Sequence, residues 1–399
     1  VRGAVRQTLG RKHFGTSPTF LRAAVAFFLA STGHQLFLMY PLKLQQLGKN
    51  QTEIGVLTGA SALAAFLARP ALGRMIDNRG RRPIILMGAA AMTGAALLFL
   101  LPVTNNPVLL LFRLIQGVAY AAFFTACFTW AADYTPPERL AEGIGLFGVA
   151  GLLAGALGPL LGERILASFG PWFTPFVMAA SILIIVGGAL WLSVKESTRP
   201  APSIVDFWTL ARRVDLLTVT ISSLLFGAVA GTVTSFIAPY GKESGLTFVS
   251  DFFTAYCGVA IFVRLFGSSL PDRVGRARVI APALLLYASG VGLLSLPIWT
   301  SVIAPIGVIV GLAHGVVYPA MNALMIERAG ADQRGTASAL FSGAVDLGYF
   351  VGPTLFGVIA RVTGYRPMFA LCCSCVAAGV ILLELVERLR PGFCQPHPR

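Results

Sequence analysis

Apolar runs of about 20 residues recur along nearly the whole of this 399-residue chain, and no other feature limits its fold so strongly. An α-helix rises 1.5 Å per residue, so about 20 residues cross the roughly 30 Å hydrocarbon core of a bilayer with every backbone group bonded internally. Twelve spans are predicted, over 20–42, 52–73, 83–103, 107–132, 141–165, 172–194, 214–240, 248–270, 279–298, 301–326, 336–361 and 367–387. Only 12% of residues are charged and mean hydropathy is +0.75, which puts the chain outside the soluble globular range. The first run is too long for a removable signal peptide and no small-residue cleavage site follows it, so it is read as a membrane helix.

A net charge of +14 raises the question of nucleic acid, but the distribution of charge answers it differently. Lys43, Lys49, Arg164, Lys242, Arg361 and Arg366 fall on one side of the membrane, and Arg22, Arg69, Arg113 and Arg264 fall within spans. The remaining 21 of 31 basic residues lie on the other side, the bias expected of a cytoplasmic face. Both termini are therefore predicted to be cytoplasmic, in a bacterial inner membrane, with lipid rather than nucleic acid as the partner and a monomer as the expected state. Cys127, Cys257, Cys372, Cys373, Cys375 and Cys394 form no CxxC pair or Cys/His ligand spacing, so they read as packing residues and no metal is expected. No nucleophile elbow or phosphate-binding glycine loop appears, and the polar segments are too short for a catalytic domain, so the chain is not read as an enzyme.

The spans repeat. A shift of 195 places Arg69 on Arg264, Asp77 on Asp272, Gly80 on Gly275 and Arg81 on Arg276. A shift of 194 carries Leu146-Phe147 onto Leu340-Phe341 and Gly158-Pro159 onto Gly352-Pro353; one of 198 carries Gly117 and Tyr120 onto Gly315 and Tyr318. The expected fold is an all-α membrane protein of two six-helix halves, 1–194 and 214–399, joined by a cytoplasmic linker at 195–213 that is charged and contains proline. Two parallel repeats around a central site are a transporter architecture that works by alternating access.

Between spans 2 and 3 the chain reads "GRMIDNRGRRP", and its Gly73, Asp77, Gly80, Arg81 and Arg82 resemble the loop signature of the major facilitator superfamily. Glycine lets helix ends approach, and an acid among arginines makes charge-assisted bonds that can latch one state. The second copy departs from the pattern: Gly267 stands one place too far from Asp272, and Ala277 follows Arg276 where a second basic residue is expected. Arg113, Gln116 and Gly117 in span 4 are similar to the family's Arg-x-x-Gln-Gly signature. Gly145, Gly158, Pro159 and Gly162 in span 5 resemble the glycine-proline pattern of its drug/proton antiporters, with Ala154 where a glycine is expected. Small residues there suit close helix packing and proline a kink. The resemblance covers nearly the whole chain and implies gating roles for these loop and span 5 residues.

Charges inside a bilayer are costly and functional by default. Asp346 is the acid nearest a span centre, and its repeat partner is Leu152, so it belongs to one half and not to the shared scaffold. Asp346 is expected to carry the coupling proton or meet a substrate charge, together with His314, Arg113 and His34. Gln35, Gln116, Tyr120, Tyr256, Tyr318 and Asn322 are candidate cavity residues, and the repeat-related Arg69 and Arg264 are candidate inner-gate residues. With no nucleotide-binding domain and no cofactor, a proton gradient is the expected driving force. The function expected is proton-coupled export of small amphipathic or cationic compounds. The alternatives are a proton-coupled uptake symporter for a polar solute and a non-transporting sensor or scaffold.

Overall fold

The computed structural model describes residues 15, 17–135, 140–169, 173–196, 207–267, 270–297, 300–330 and 333–388, and among these all regular structure is helical. Short polar side chains start some of the helices. Ser17 accepts from the Phe20 amide at 3.2 Å and opens α1 (Pro18–Gln35), which runs through a 3-10 turn at Leu36–Met39 into α2 (Tyr40–Gln46). Asn50 and Glu53 cap each other reciprocally, at 3.0 and 2.8 Å, at the start of α3 (Gln51–Arg79). At Gly80 (φ 96°) the chain turns into α4 (Arg81–Leu97), and at Gly275 (φ 103°) it passes from α11 (Leu270–Val274) into α12 (Arg276–Gly292). These left-handed values favour glycine and explain why both repeats keep one there.

The remaining helices are α5 (Asn106–Tyr134), α6 (Leu140–Phe169), α7 (Thr174–Leu190), α8 (Phe207–Ala211), α9 (Val214–Glu243), α10 (Ser250–Phe266), α13 (Thr300–Ala329), α14 (Arg334–Thr363) and α15 (Tyr365–Arg388). Ten segments among the described residues are long and apolar enough to cross a membrane. The two further predicted spans correspond to α10, of 17 residues, and α15, whose apolar part is Tyr365–Ile381. Large side chains such as Leu67, Phe262 and Val362 stay exposed, as suits a chain whose outer solvent is lipid tails. This is a multi-pass membrane protein.

Its contacts divide it into two compact units. One takes in Val1–Tyr40 and Leu67–Pro202, the other Pro41–Phe66 and Ser203–Arg399, so the division falls within α3 and not only at the linker. In the first unit α1 packs on α6 and α7, and α4 on α5. Close approach depends on glycine: a methyl group on Gly187 would lie 2.5 Å from the Ala30 amide nitrogen, and one on Gly88 2.6 Å from that of Phe123. In the second unit α9 packs on α14 and α10 on α13, the former through Gly227, Gly348 and Gly352, each against a backbone carbonyl of the facing helix.

Candidate functional site

On α13, Gly307, Gly311 and Gly315 recur every four residues and bring α10 close. A methyl group on Gly311 would collide with the Tyr256 carbonyl oxygen, and one on Gly307 would lie 2.5 Å from that of Phe252. This contact sets Tyr256 and Arg264 of α10 around the buried His314. The Tyr256 hydroxyl lies 2.6 Å from His314 Nδ1, and Arg264 Nη2 lies 3.3 Å from Nε2. A guanidinium can only donate, so Nε2 accepts, the ring proton sits on Nδ1, and Nδ1–H donates to the Tyr256 oxygen. His314 is thereby held neutral while Arg264 stays in place. One turn along α13, Tyr318 stacks on the imidazole (centroids 5.5 Å, 9° between planes), and Arg264 Cζ stands 5.5 Å from the Tyr318 ring centre. A turn further, Asn322 has a buried Oδ1 with no hydrogen-bond partner among the described residues.

Arg264, a candidate inner-gate residue, has its guanidinium on His314. The reason is directional. Side chains on a helix lean toward its N-terminus, so an arginine near the end of α10 reaches back toward the middle of the helix.

The first unit has its own stack of a phenol on an imidazole. Tyr120, the repeat partner of Tyr318, also stacks on an imidazole, but the ring is His34 of α1 (centroids 3.8 Å, 3° between planes). Gln116, the repeat partner of His314, is 2% exposed and accepts a hydrogen bond from Arg113, so it braces an arginine where cavity lining was expected. Arg113 is itself buried and stands over the ring of Tyr40 at 5.6 Å. Gln35 is partly exposed, with its backbone and Cβ packed against Gly158. Phe27 is ringed by Phe123, Phe124, Phe128 and Phe147, so the first unit is aromatic where the second is polar.

The loop between α3 and α4 contains an ion-pair network. Arg81 is 2% exposed; its Nε donates to Asp133 Oδ2 at 2.7 Å and its Nη1 to the Ile76 carbonyl at 3.3 Å. The Glu196 carboxylate accepts the amides of Arg81 and Arg82 at 3.1 and 3.0 Å, meeting N–H groups that the start of α4 leaves without helical partners. Arg82 also donates to the Leu192 carbonyl. The second repeat pairs Arg276, the repeat partner of Arg81, with Glu327 at 3.1 Å, but there both partners face solvent. The side chains of Asp77 and Asp272 lie outside what the structure describes. A methyl group on Gly73 or Gly145 would meet nothing within 4 Å, so close approach does not explain those glycines. It does explain Gly158, where a methyl group would lie 2.5 Å from Gln35 Cβ, and Gly162, where one would lie 3.1 Å from the Phe176 ring, on either side of Pro159. Arg69 is partly exposed on α3 beside Pro70.

Asp346 is partly exposed on α14, between Val345, whose carbonyl meets Gly227, and Gly348, which meets the Leu224 carbonyl. Sequence reasoning passed over two acids. Asp133 was taken for a helix-end residue, yet it is the partner of Arg81. Glu163 was placed at the edge of span 5, yet α6 runs on to Phe169 and leaves the carboxyl 8% exposed within the bundle.

A sequence profile described as Major Facilitator Superfamily matches residues 21–300 and 249–394. An uncharacterized MFS-type transporter of Salmonella typhimurium is 26% identical over 388 residues, covering 94% of this chain and 97% of that protein. The staphylopine export protein of Staphylococcus aureus is 23% identical over 384 residues, covering 92% and 94%. Among solved structures, a bacterial homolog of the human lysosomal transporter Spinster, in an inward-facing and occupied conformation, superposes with a TM-score of 0.73 at 15% identity, over 95% of this chain and 98% of that one. The chain belongs to the major facilitator superfamily of membrane transporters and is not an enzyme.

Proposed function

We propose that this protein is a proton-coupled exporter of small amphipathic compounds, working by alternating access, with Asp346 as the proton-carrying group. The observation that carries the reading is a partly exposed carboxyl group in a membrane-crossing helix, present in only one repeat. Ionised, such a group is costly to move through a dry intermediate; protonated, it is cheap, so alternation between the two forms ties a conformational cycle to a proton gradient. A relative named for export supports the direction. Within the second unit, the aromatic rings of Tyr256 and Tyr318 beside the polar His314 supply both kinds of surface that an amphipathic compound needs.

Reconstituted protein in liposomes containing a pH-sensitive dye tests this against its alternatives. An antiporter supplied with its compound outside raises luminal pH as compound enters and protons leave, whichever way the protein is inserted. A symporter lowers luminal pH. If no compound in a broad amphipathic set gives a protein-dependent change, the protein is a sensor or scaffold.

The excess of basic residues on one side supports cytoplasmic termini in a bacterial inner membrane. Reporter fusions at Lys49, Asn105 and Gly245 should then report the outside, and fusions at Arg81, Ser203 and Arg276 the cytoplasm. An odd number of crossings between Arg81 and Arg276 would sink the two-repeat topology.

A further inference from the structure

We infer that Arg264, with His314, Tyr318 and Asn322 beside it, is a subsite for a carboxylate on the transported compound. The inference rests on the transporter reading and names the chemistry of its substrate. Arg264 lies on α10, which corresponds to a predicted span, yet among the described residues no carboxylate comes within ion-pair distance of it. Its bonds go to a neutral imidazole nitrogen and the face of a phenol ring, and its buried Nε–H has no acceptor. Nε–H and a neighbouring Nη–H form the edge that binds a carboxylate through two parallel bonds.

A structural arginine in this chain looks different. Arg81 is matched by Asp133 at 2.7 Å and a backbone carbonyl besides. Leaving Arg264 without such a partner carries a desolvation cost that a scaffold role does not repay, whereas an incoming anion does. The packing also holds the guanidinium still: Tyr318 supports its face and His314 fixes one Nη, so little rotamer freedom remains to be lost on binding.

The surroundings are reachable and incomplete. Tyr256, Arg264, Tyr318 and Asn322 are each partly exposed. His314, Tyr318 and Asn322 follow at four-residue spacing on α13, so Asn322 stands roughly 12 Å along the helix from His314. Its unmet Oδ1 offers an acceptor for a donor group elsewhere on the same compound. A donor edge and an unmet acceptor on one helix face suit a compound with a carboxylate at one end and a hydroxyl or amine further along.

Binding of three probes of one shape, phenylacetate, phenylacetamide and phenethylamine, to purified protein in detergent tests this by calorimetry and competition. The wild type is expected to bind phenylacetate about tenfold or more tightly than the neutral amide, as a charge-assisted pair requires, with the amine weakest. Arg264→Gln should abolish the preference of phenylacetate over the amide; Arg264→Lys, which keeps the charge and loses the planar fork, should retain part of it. Size-exclusion profiles report whether each variant folds, and the wild-type ranking stands as a readout should Arg264→Gln not fold. Equal binding of the three, a preference for the amine, binding of none, or a preference that survives Arg264→Gln overturns the subsite. The measurement needs no transport: carboxylate preference without any proton flux in liposomes would leave the subsite standing and remove the exporter reading.

Discussion

Asp133→Ala is expected to destabilise the protein by about 3–5 kcal/mol, the cost of leaving a buried charge without its partner. Arg81 is 2% exposed and the Asp133 side chain 8% exposed, so water cannot replace the lost carboxylate without opening the bundle. The thermal midpoint in detergent should fall sharply and the yield of monodisperse protein with it. Replacing both partners by apolar residues, Arg81→Met with Asp133→Leu, should cost much less than the single change, because no buried charge is left behind. Nature has provided a control in the other repeat. The Arg276–Glu327 pair has side chains at 33% and 58% exposure, and Glu327→Ala should cost less than about 1 kcal/mol. Similar losses at both sites would mean that the repeat, and not burial, sets the value of the pair.

This asymmetry bears on the loop as a gate. In the first repeat the Arg81–Asp133 pair and the Glu196 cap tie the start of α4 to the end of α5 and to the residues after α7. The second repeat keeps the pair but exposes it, and its Ala277 stands where the first has Arg82. A bond worth little in water can break and re-form at each cycle; a buried one holds its helices together. The ion pair of the loop signature is therefore buried in one unit and solvent-exposed in the other.

Most of the architecture was legible because hydropathy and repetition are one-dimensional signals. The all-helical fold, most of the spans and the membrane class follow from spacing alone. Contacts that depend on side-chain direction were not legible. Arg264 was assigned by where its Cα falls, but a long side chain leaning toward the helix N-terminus carries its charge several ångströms away. Gln116 looked like a free polar group, and the neighbour that claims it, Arg113, lies one turn back on the same helix. Gly73 and Gly145 matched a motif whose packing reason the structure does not show there, while Gly307, Gly311 and Gly315, which do bring helices together, carried the plain small-residue period that marks such contacts. Glu163 was missed because its helix outruns the apolar window used to bound it.

Asp346→Asn should abolish proton-driven transport, reducing accumulation under a pH gradient to the level of protein-free liposomes, while leaving folding intact. The substitution keeps shape and removes only the titrating proton. The backbone around it is fixed by tight contacts of Val345 and Gly348 with α9, so expression and thermal midpoint should stay close to wild type. Because the amide mimics the neutral carboxyl, the protein can still cross its dry intermediate, and exchange of compound across the membrane without a gradient should continue. Loss of coupling with survival of exchange is the signature of a proton carrier; loss of both would mean that Asp346 holds α14 or the compound in place. Glu163→Gln and His314→Gln serve as comparisons, since each removes another titratable group from a buried position. If Asp346→Asn still accumulates compound under the gradient and Glu163→Gln does not, the proton travels on the α6 carboxyl. If His314→Gln alone uncouples, it travels on the imidazole that Arg264 holds neutral, and release of that arginine by an incoming carboxylate becomes the step that admits the proton.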